Sequence, residues 1–135
     1  MIGLDTNILV RYLVNDDVTQ YEQATSVIDQ AAADREPCFV STATLLETLW
    51  VLRGTYKVPR ADILRTVSAL IASDFIVLMD EELVAAAVDI SRTHNCDLPD
   101  ALITEMGRHA GCRHTLTFDK KASSIPGMCL VEPVR

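Results

Sequence analysis

The sequence predicts an α/β fold in which a central parallel sheet of about five strands is flanked by helices on both faces. Apolar runs of strand length alternate along the chain with longer segments whose apolar residues recur at helical spacing. Strands that are separated by helices are typical of parallel sheets. A length of 135 residues suits one domain with a proper core and is short for two. We therefore expect a single domain over residues 1–135.

The first third of the chain predicts two strands and two helices. Residues 2–4 form an apolar run typical of a short buried strand, and the apolar residues after Asn7 return at helical spacing. A second helix is expected over residues 19–33, because Pro37 interrupts the helical pattern beyond it. The sequence CFV at 38–40 then predicts the second strand.

The middle of the chain carries clear start and stop signals for helices. Ser41 is a candidate N-cap of a helix that Gly54 ends, and Pro59 suits the first turn of the next helix. FIVL at 75–78 predicts the clearest buried strand. Asp80 is expected to cap a helix that runs to about residue 93.

The last third predicts one helix and two strands. Asp97 is a candidate cap for a helix that begins at Leu98 and runs to about Ala110, before Gly111. Strands are expected at 114–117 and 128–131.

Composition excludes several classes of protein. The longest apolar runs carry charges and are shorter than the roughly 20 residues of a membrane span. No signal-peptide pattern follows Met1, so a cytoplasmic protein is expected. The four cysteines and three histidines are scattered without the spacing of a zinc site, and we expect reduced thiols. A net charge of −7 argues against a general nucleic-acid coat protein.

Two acids are expected at the same edge of the predicted sheet. Asp5 follows the first strand and Asp119 follows the fourth, and parallel strands present their carboxyl ends along one edge, where ligands bind. The alternative for Asp5 is a helix cap, although Asn7 could supply a cap alone. Asp119 could equally serve a turn or cap before KKASS.

Three further acids lie on predicted helices. Glu47 sits among bulky apolar residues in TLLETLWVL, so it is either solvated or buried with a partner or cation. Asp97 is well explained as a cap at a helix start, whereas Asp100 at the third helical position is less so. Clustered carboxylates favour a cation, and oxygen ligands select Mg²⁺ or Mn²⁺, which support attack of water on a phosphodiester.

The sequence resembles the PIN-domain ribonucleases, and specifically the VapC-type toxins of type II toxin-antitoxin systems. The resemblance rests on LDTNILVRYL, STATLLETLWVL, CDLPDALITEMGRHAGC and LTFDKKASSIPG, which span nearly the whole chain. It implies that Mg²⁺ or Mn²⁺, as one or two ions, is bound by an acidic quartet and that a metal-activated water hydrolyses RNA. The quartet falls on Asp5, Glu47, Asp100 and Asp119.

The resemblance also implies supporting residues and partners. Thr6, Asn7 and Thr117 match hydroxyl or amide groups that orient the acids or water, and Asp97 remains a cap that assists. A homodimer and a small antitoxin that covers the groove are implied. The candidate RNA contacts, each also explicable as surface charge, are Arg11, Arg53, Lys57, Arg60, Lys120 and Lys121.

Other functions remain open at this point. An aspartyl-phosphate phosphohydrolase also places an Asp after the first strand, but it usually carries a second acid two residues later, where this chain has Asn7. A phosphoacceptor domain could use Asp5, Thr117 and Lys120, with a poorer fit of acids and strand order. A PIN-like scaffold that binds without catalysis is the third alternative, although all four acids are present.

Overall fold

The computed structural model describes residues 1–134. The chain divides into two compact units: the first is Met1–Glu81, and the second begins at Glu82. Six α-helices and five short strands lie within the described residues. None of the helices in residues 1–134 is long and apolar enough to cross a membrane.

The first unit contains a three-stranded parallel sheet. The strands are β1 (Ile2–Gly3), β2 (Cys38–Val40) and β3 (Ile76–Leu78), in the order β1-β2-β3. In β2 and β3 the first and last side chains are buried and the middle one is more exposed, as expected from the two-residue period of a strand. The expectation of a buried first strand is wrong for its two paired residues, since only the following residue, Leu4, is buried.

Four helices accompany this sheet along the first unit. They are α1 (Thr6–Leu13), α2 (Val18–Ala33), α3 (Thr42–Gly54) and α4 (Arg60–Ala72). Capping explains two of the starting points: the Asp17 side chain accepts a hydrogen bond from the Gln20 N–H at 3.0 Å, and the Ser41 hydroxyl accepts one from the Thr44 N–H at 3.1 Å. Pro59 occupies the N-cap position of α4, one residue before the first turn.

The second unit contains a parallel pair of strands and a helix packed closely against it. Helix α5 (Glu81–His94) begins at the last residue of the first unit, and α6 (Leu98–His109) follows. Strands β4 (Thr115–Thr117) and β5 (Met128–Leu130) pair in parallel, with a short 3-10 helix, Ala122–Ser124, between them. Asp80, the expected cap of α5, directly precedes it in a left-handed conformation with φ of 53°.

Close contacts fix α6 against the β4–β5 pair. A Cβ atom added to Gly107 of α6 would lie 2.7 Å from the Thr115 Oγ1, so only glycine allows this approach of helix to strand. Gly127, before β5, has φ of +94°, and an added Cβ would lie 3.0 Å from the Thr104 Cγ2. The end of α6 and the beginning of β4 are therefore held in a defined arrangement within this unit.

The α/β class, with six helices and parallel strands, is confirmed. The expected central sheet of about five strands is wrong for residues 1–134, which contain a three-stranded sheet and a separate two-stranded one. Apolar runs predict where strands occur, but pairing depends on contacts between distant parts of the chain, and these strands are only two or three residues long. The single domain and the helices on both sheet faces stay predictions.

Candidate functional site

Three predicted acids lie in the second unit. Asp97 occupies the N-cap position of α6 with an extended backbone, as expected, but its side chain makes no capping hydrogen bond. Asp100 lies in the first turn of α6, and Asp119 lies two residues beyond the end of β4. Asp97 and Asp100 are half-buried, and Asp119 is exposed.

The charges of Asp97 and Asp119 act on the Asp100 carboxylate. Burial raises the pKa of Asp100, and the negative charges of Asp97 and then Asp119 raise it further, while Lys121 acts in the opposite direction. Proximity of like charges disfavours full ionisation in the absence of a cation. Of the predicted acids, Asp97 and Asp119 therefore lie near enough to Asp100 for their charges to act on its carboxylate.

Replacement of Asp100 by Asn is expected to stabilise the metal-free protein at neutral pH. The pKa of Asp100 is higher in the folded protein than in the unfolded chain, so the ionised carboxylate lowers the free energy of unfolding at neutral pH. This loss of stability disappears as the pH falls below the unfolded-state pKa of about 3.8. Urea unfolding in EDTA at pH 7 and pH 3.5 measures the difference. The stability advantage of Asp100→Asn should be present at pH 7 and shrink at pH 3.5.

The matched control for this measurement is Asp89→Asn. Asp89 lies on α5 with its side chain 78% exposed and an Arg92 nitrogen 3.6 Å away, so its removal takes away a surface ion pair of small effect. Two results would contradict repulsion between Asp100 and its acidic neighbours. One is an Asp100→Asn protein that is less stable than wild type at pH 7, and the other is a variant that is stabilised equally at both pH values.

Asp119 is held by hydrogen bonds within its own turn. Its Oδ1 accepts the backbone N–H groups of Lys121 at 2.9 Å and Ala122 at 3.3 Å, which is the turn role anticipated as the alternative. Its own N–H donates to the Thr117 Oγ1 at 3.0 Å. Thr117 thus fixes the backbone that carries the Asp119 carboxylate.

Asp5 in the first unit is the N-cap of α1. Its Oδ1 accepts the Thr6 N–H at 2.9 Å, so the capping role is confirmed. Thr6 is buried, and Asn7 is exposed on the first turn of the helix. The Thr44 hydroxyl donates to the Leu4 carbonyl at 3.5 Å and so connects the start of α3 to the chain beside Asp5.

Sequence reasoning missed the contribution of Thr44. Thr44 lies three residues after the N-cap candidate Ser41, at a position whose backbone N–H an N-cap side chain accepts, and this spacing was the available signal. In the structure Ser41 donates its hydroxyl hydrogen to the Thr44 Oγ1 at 3.2 Å as well as capping the helix.

Glu47 is exposed on α3, so it is not buried among its apolar neighbours, and its role as a metal ligand stays a prediction. The side chains that follow it, Thr48 and Leu49, are each 1% exposed and belong to the core. The helix therefore buries one side and presents Glu47 on the other.

Arg11 takes part in a polar network of the first unit. Its Nη1 donates to the Asp16 Oδ1 at 2.8 Å and lies 3.3 Å from the Tyr56 hydroxyl, which itself donates to the Asp16 Oδ2 at 2.8 Å. The Tyr56 hydrogen bond, followed by that of Arg11, lowers the pKa of Asp16. These bonds tie α1 to the segment after α3, so Arg11 has a structural role beside its predicted RNA contact.

The other candidate RNA contacts are distributed over both units. Arg53 is exposed near the end of α3 and donates from Nη1 to the Val58 carbonyl at 3.3 Å. Lys57 is exposed and has a left-handed backbone with φ of 54°, and Arg60 begins α4 half-buried. Lys120 and Lys121 are exposed beside Asp119.

A buried acid that sequence reasoning missed lies on α6. Glu105 is 3% exposed, and both of its carboxylate oxygens accept hydrogen bonds from Arg108, at 3.1 and 2.7 Å. The His109 Nε2 lies 4.0 Å from the same carboxylate. The three-residue spacing of Glu105 and Arg108 was the available signal, and the pair stabilises the helix.

The donor atoms of the candidate site fit a hard divalent cation in type. All the predicted ligands are carboxylates. A divalent cation would relieve the repulsion of the Asp100 carboxylate by the charges of Asp97 and Asp119. No group of three or more His, Cys, Asp or Glu side chains within residues 1–134 has the spacing of a formed metal site. The four cysteines, of which Cys38 and Cys96 are buried, are free thiols as expected.

Comparison with known families adds an independent observation. The PIN domain family matches residues 2–128, which is nearly the whole chain and includes parts of both units. No curated protein matches the sequence. PIN domains are generally nucleases, so the match indicates a function of the nuclease type. The chain belongs to the PIN domain family.

Proposed function

We propose that this protein is a metal-dependent endoribonuclease and the toxin of a toxin-antitoxin pair. The family match carries the nuclease part of the proposal, and the effect of the Asp97 and Asp119 charges on the Asp100 carboxylate supports a cation-binding function for the acids. Asp5, Glu47, Asp100 and Asp119 are the proposed ligands of Mg²⁺ or Mn²⁺.

The chemistry follows from the ligands and their neighbours. The bound metal would lower the pKa of a water molecule and neutralise charge on the phosphodiester that this water attacks. Burial and the negative charges of Asp97 and Asp119 raise the pKa of Asp100, so a cation that compensates these charges would stabilise its ionised carboxylate. Thr117 holds the Asp119 backbone in place, and Lys120 and Lys121, exposed beside it, are proposed to contact RNA phosphates.

The toxin role and the partners rest on the resemblance of the four quoted stretches. An antitoxin with a basic tail is a suitable inhibitor, because a cation of the tail could take the place of the metal among the acids. A homodimer is proposed on the same basis. In a PIN-like scaffold without catalysis, the four acids would have no catalytic role. An aspartyl-phosphate phosphohydrolase would require phosphoryl transfer to Asp5.

The test is cleavage of a mixed RNA pool by the purified protein with Mg²⁺, with Mn²⁺ and with EDTA. Cleavage products with either metal and none with EDTA are the expected result. Calorimetric titration of Mg²⁺ and Mn²⁺ into the same antitoxin-free preparation accompanies it. Absence of both cleavage and metal binding would favour the scaffold, and a phosphoryl group trapped on Asp5 would favour the phosphohydrolase.

A further inference from the structure

Helix α5 ends in a turn that leads directly to the acids of α6. Asn95, the residue after α5, has a left-handed backbone with φ of 54°, and the Cys96 N–H donates to the Ser91 carbonyl at 3.2 Å. A left-handed residue together with a hydrogen bond of this span is typical of the Schellman motif, which commonly ends a helix. Asp97, the N-cap residue of α6, comes next. The turn therefore sets the point at which α6 begins.

A buried hydroxyl closes the same turn from the inside. Ser91 is 0% exposed, and its hydroxyl donates to the carbonyl of Cys96, which is itself buried. An apolar contact between these two positions frequently accompanies such a turn, whereas this chain has a hydrogen bond there. The Cys96 carbonyl belongs to the peptide group that joins Cys96 to Asp97. The Ser91 hydroxyl therefore fixes the orientation of the peptide group that precedes α6.

A second buried hydroxyl holds the other end of the first turn of α6. Thr104 is 2% exposed, and its Oγ1 donates to the Asp100 carbonyl at 2.8 Å. Within residues 82–134, Ser91 and Thr104 are the only buried serine and threonine residues, and both donate to carbonyls of residues 96–100. A buried hydroxyl costs free energy unless it is hydrogen-bonded. Both buried hydroxyls of the second unit thus support the backbone that carries the acids of α6.

We propose that Ser91 is a positioning residue for the proposed metal site, because its hydroxyl fixes the start of α6 and with it the places of Asp97 and Asp100. The inference rests on the proposed function. Mg²⁺ requires near-ideal octahedral geometry, so a small displacement of a carboxylate ligand weakens its binding. Ser91 is fully buried and would contact neither the cation nor RNA. It acts through the two acids that follow it in the chain.

Metal binding by three variants of Ser91 tests the proposal. Ser91→Ala removes the hydroxyl, Ser91→Cys keeps the size of the side chain with a weaker donor, and Ser91→Thr keeps the hydroxyl. Calorimetric titration of Mg²⁺ into each antitoxin-free protein should give about tenfold weaker binding for the Ala and Cys variants, as expected on loss of a group that supports a metal ligand. Ser91→Thr should restore most of the affinity. RNA cleavage by Ser91→Ala should fall at low Mg²⁺ and approach the wild-type rate at saturating Mg²⁺.

Val88→Ala is the matched control for loss of stability. Val88 lies on α5 three residues before Ser91 and is 4% exposed, so its truncation destabilises the core without removing the bond to Cys96. Urea unfolding measures the stability of each variant. Val88→Ala should be less stable than wild type and should bind Mg²⁺ with wild-type affinity.

Amide hydrogen exchange, followed by NMR, needs neither metal nor catalysis. The Ala101 N–H donates to the Asp97 carbonyl at 3.2 Å in the first turn of α6. In metal-free Ser91→Ala this amide should exchange about two- to tenfold faster than in wild type, as expected when one hydrogen bond that supports the turn is lost. In Ser91→Thr its exchange should stay close to wild type. If the wild-type protein binds no Mg²⁺, the proposed function fails, while faster exchange at Ala101 would still support the role of Ser91 in holding α6.

Three results would overturn the inference. The first is wild-type affinity for Mg²⁺ in both Ser91→Ala and Ser91→Cys. The second is unchanged exchange of the Ala101 amide in Ser91→Ala. The third is Mg²⁺ binding that is weakened equally in Val88→Ala and Ser91→Ala, which would assign the loss of affinity to general destabilisation of the second unit.

Discussion

Asp100→Asn is expected to reduce metal-dependent RNA cleavage by more than about 100-fold, because loss of a group that only supports a metal ligand already costs about 10- to 100-fold. Asn keeps the size of the side chain and its place in the first turn of α6 but removes the charge that would attract the proposed cation. Initial rates of cleavage at saturating Mg²⁺ measure the effect. Calorimetry with Mg²⁺ should give correspondingly weaker binding.

The control for this loss of activity is again Asp89→Asn on α5, an exposed change of the same charge in the same unit. It should cleave RNA within about twofold of wild type, as surface substitutions away from a site have small effects. Because Asp100→Asn is expected to be at least as stable as wild type without metal, lost cleavage would not reflect unfolding. Wild-type cleavage by Asp100→Asn would remove this residue from the mechanism.

Leu102→Ala is expected to lower the free energy of unfolding by about 2–5 kcal/mol, the usual cost of removing a fully buried leucine side chain from a packed core. Leu102 is 0% exposed and lies on α6, the helix that carries Asp100. Urea unfolding followed by circular dichroism measures the change. Since a small domain is stable by only about 5–15 kcal/mol, the variant should also unfold at a clearly lower temperature.

The neighbouring Ile103 provides the matched control for Leu102. Ile103 is 39% exposed on the same helix, so Ile103→Ala removes apolar atoms of similar number that are partly solvated already. Its effect should be well below that of Leu102→Ala. Equal destabilisation by the two substitutions would contradict the assigned buried face of α6, and with it the way in which Asp100 is positioned.

The sequence predicts the helices of this protein well because helix signals are local. Ser41 was expected to begin a helix and Gly54 to end it, and α3 spans Thr42–Gly54. The helix expected from Leu98 also begins there. Caps and helical periodicity act over a few residues, so they are readable without knowledge of distant contacts.

Exposure within an element was less predictable from the sequence. Glu47 lies in an apolar helix, and the sequence left open whether it is buried, whereas the structure places it on the solvent side between core residues. Glu105 lies in an ordinary amphipathic pattern, yet it is 3% exposed and paired with Arg108. Which side of a helix is covered depends on the element that packs against it, and local composition indicates this only when the pattern is clear.

The sequence by itself determined the α/β class, the order of helices and strands, and the acids Asp5, Glu47, Asp100 and Asp119 as candidates, since each depends on local pattern or on resemblance along the chain. Only the tertiary structure decided that the strands form a sheet of three and a pair, and that Asp119 influences Asp100. The physical reason is the same in both cases. Strand pairing, and the electrostatic effect of Asp119 on Asp100, join residues that are well separated in sequence, and no local propensity specifies such contacts.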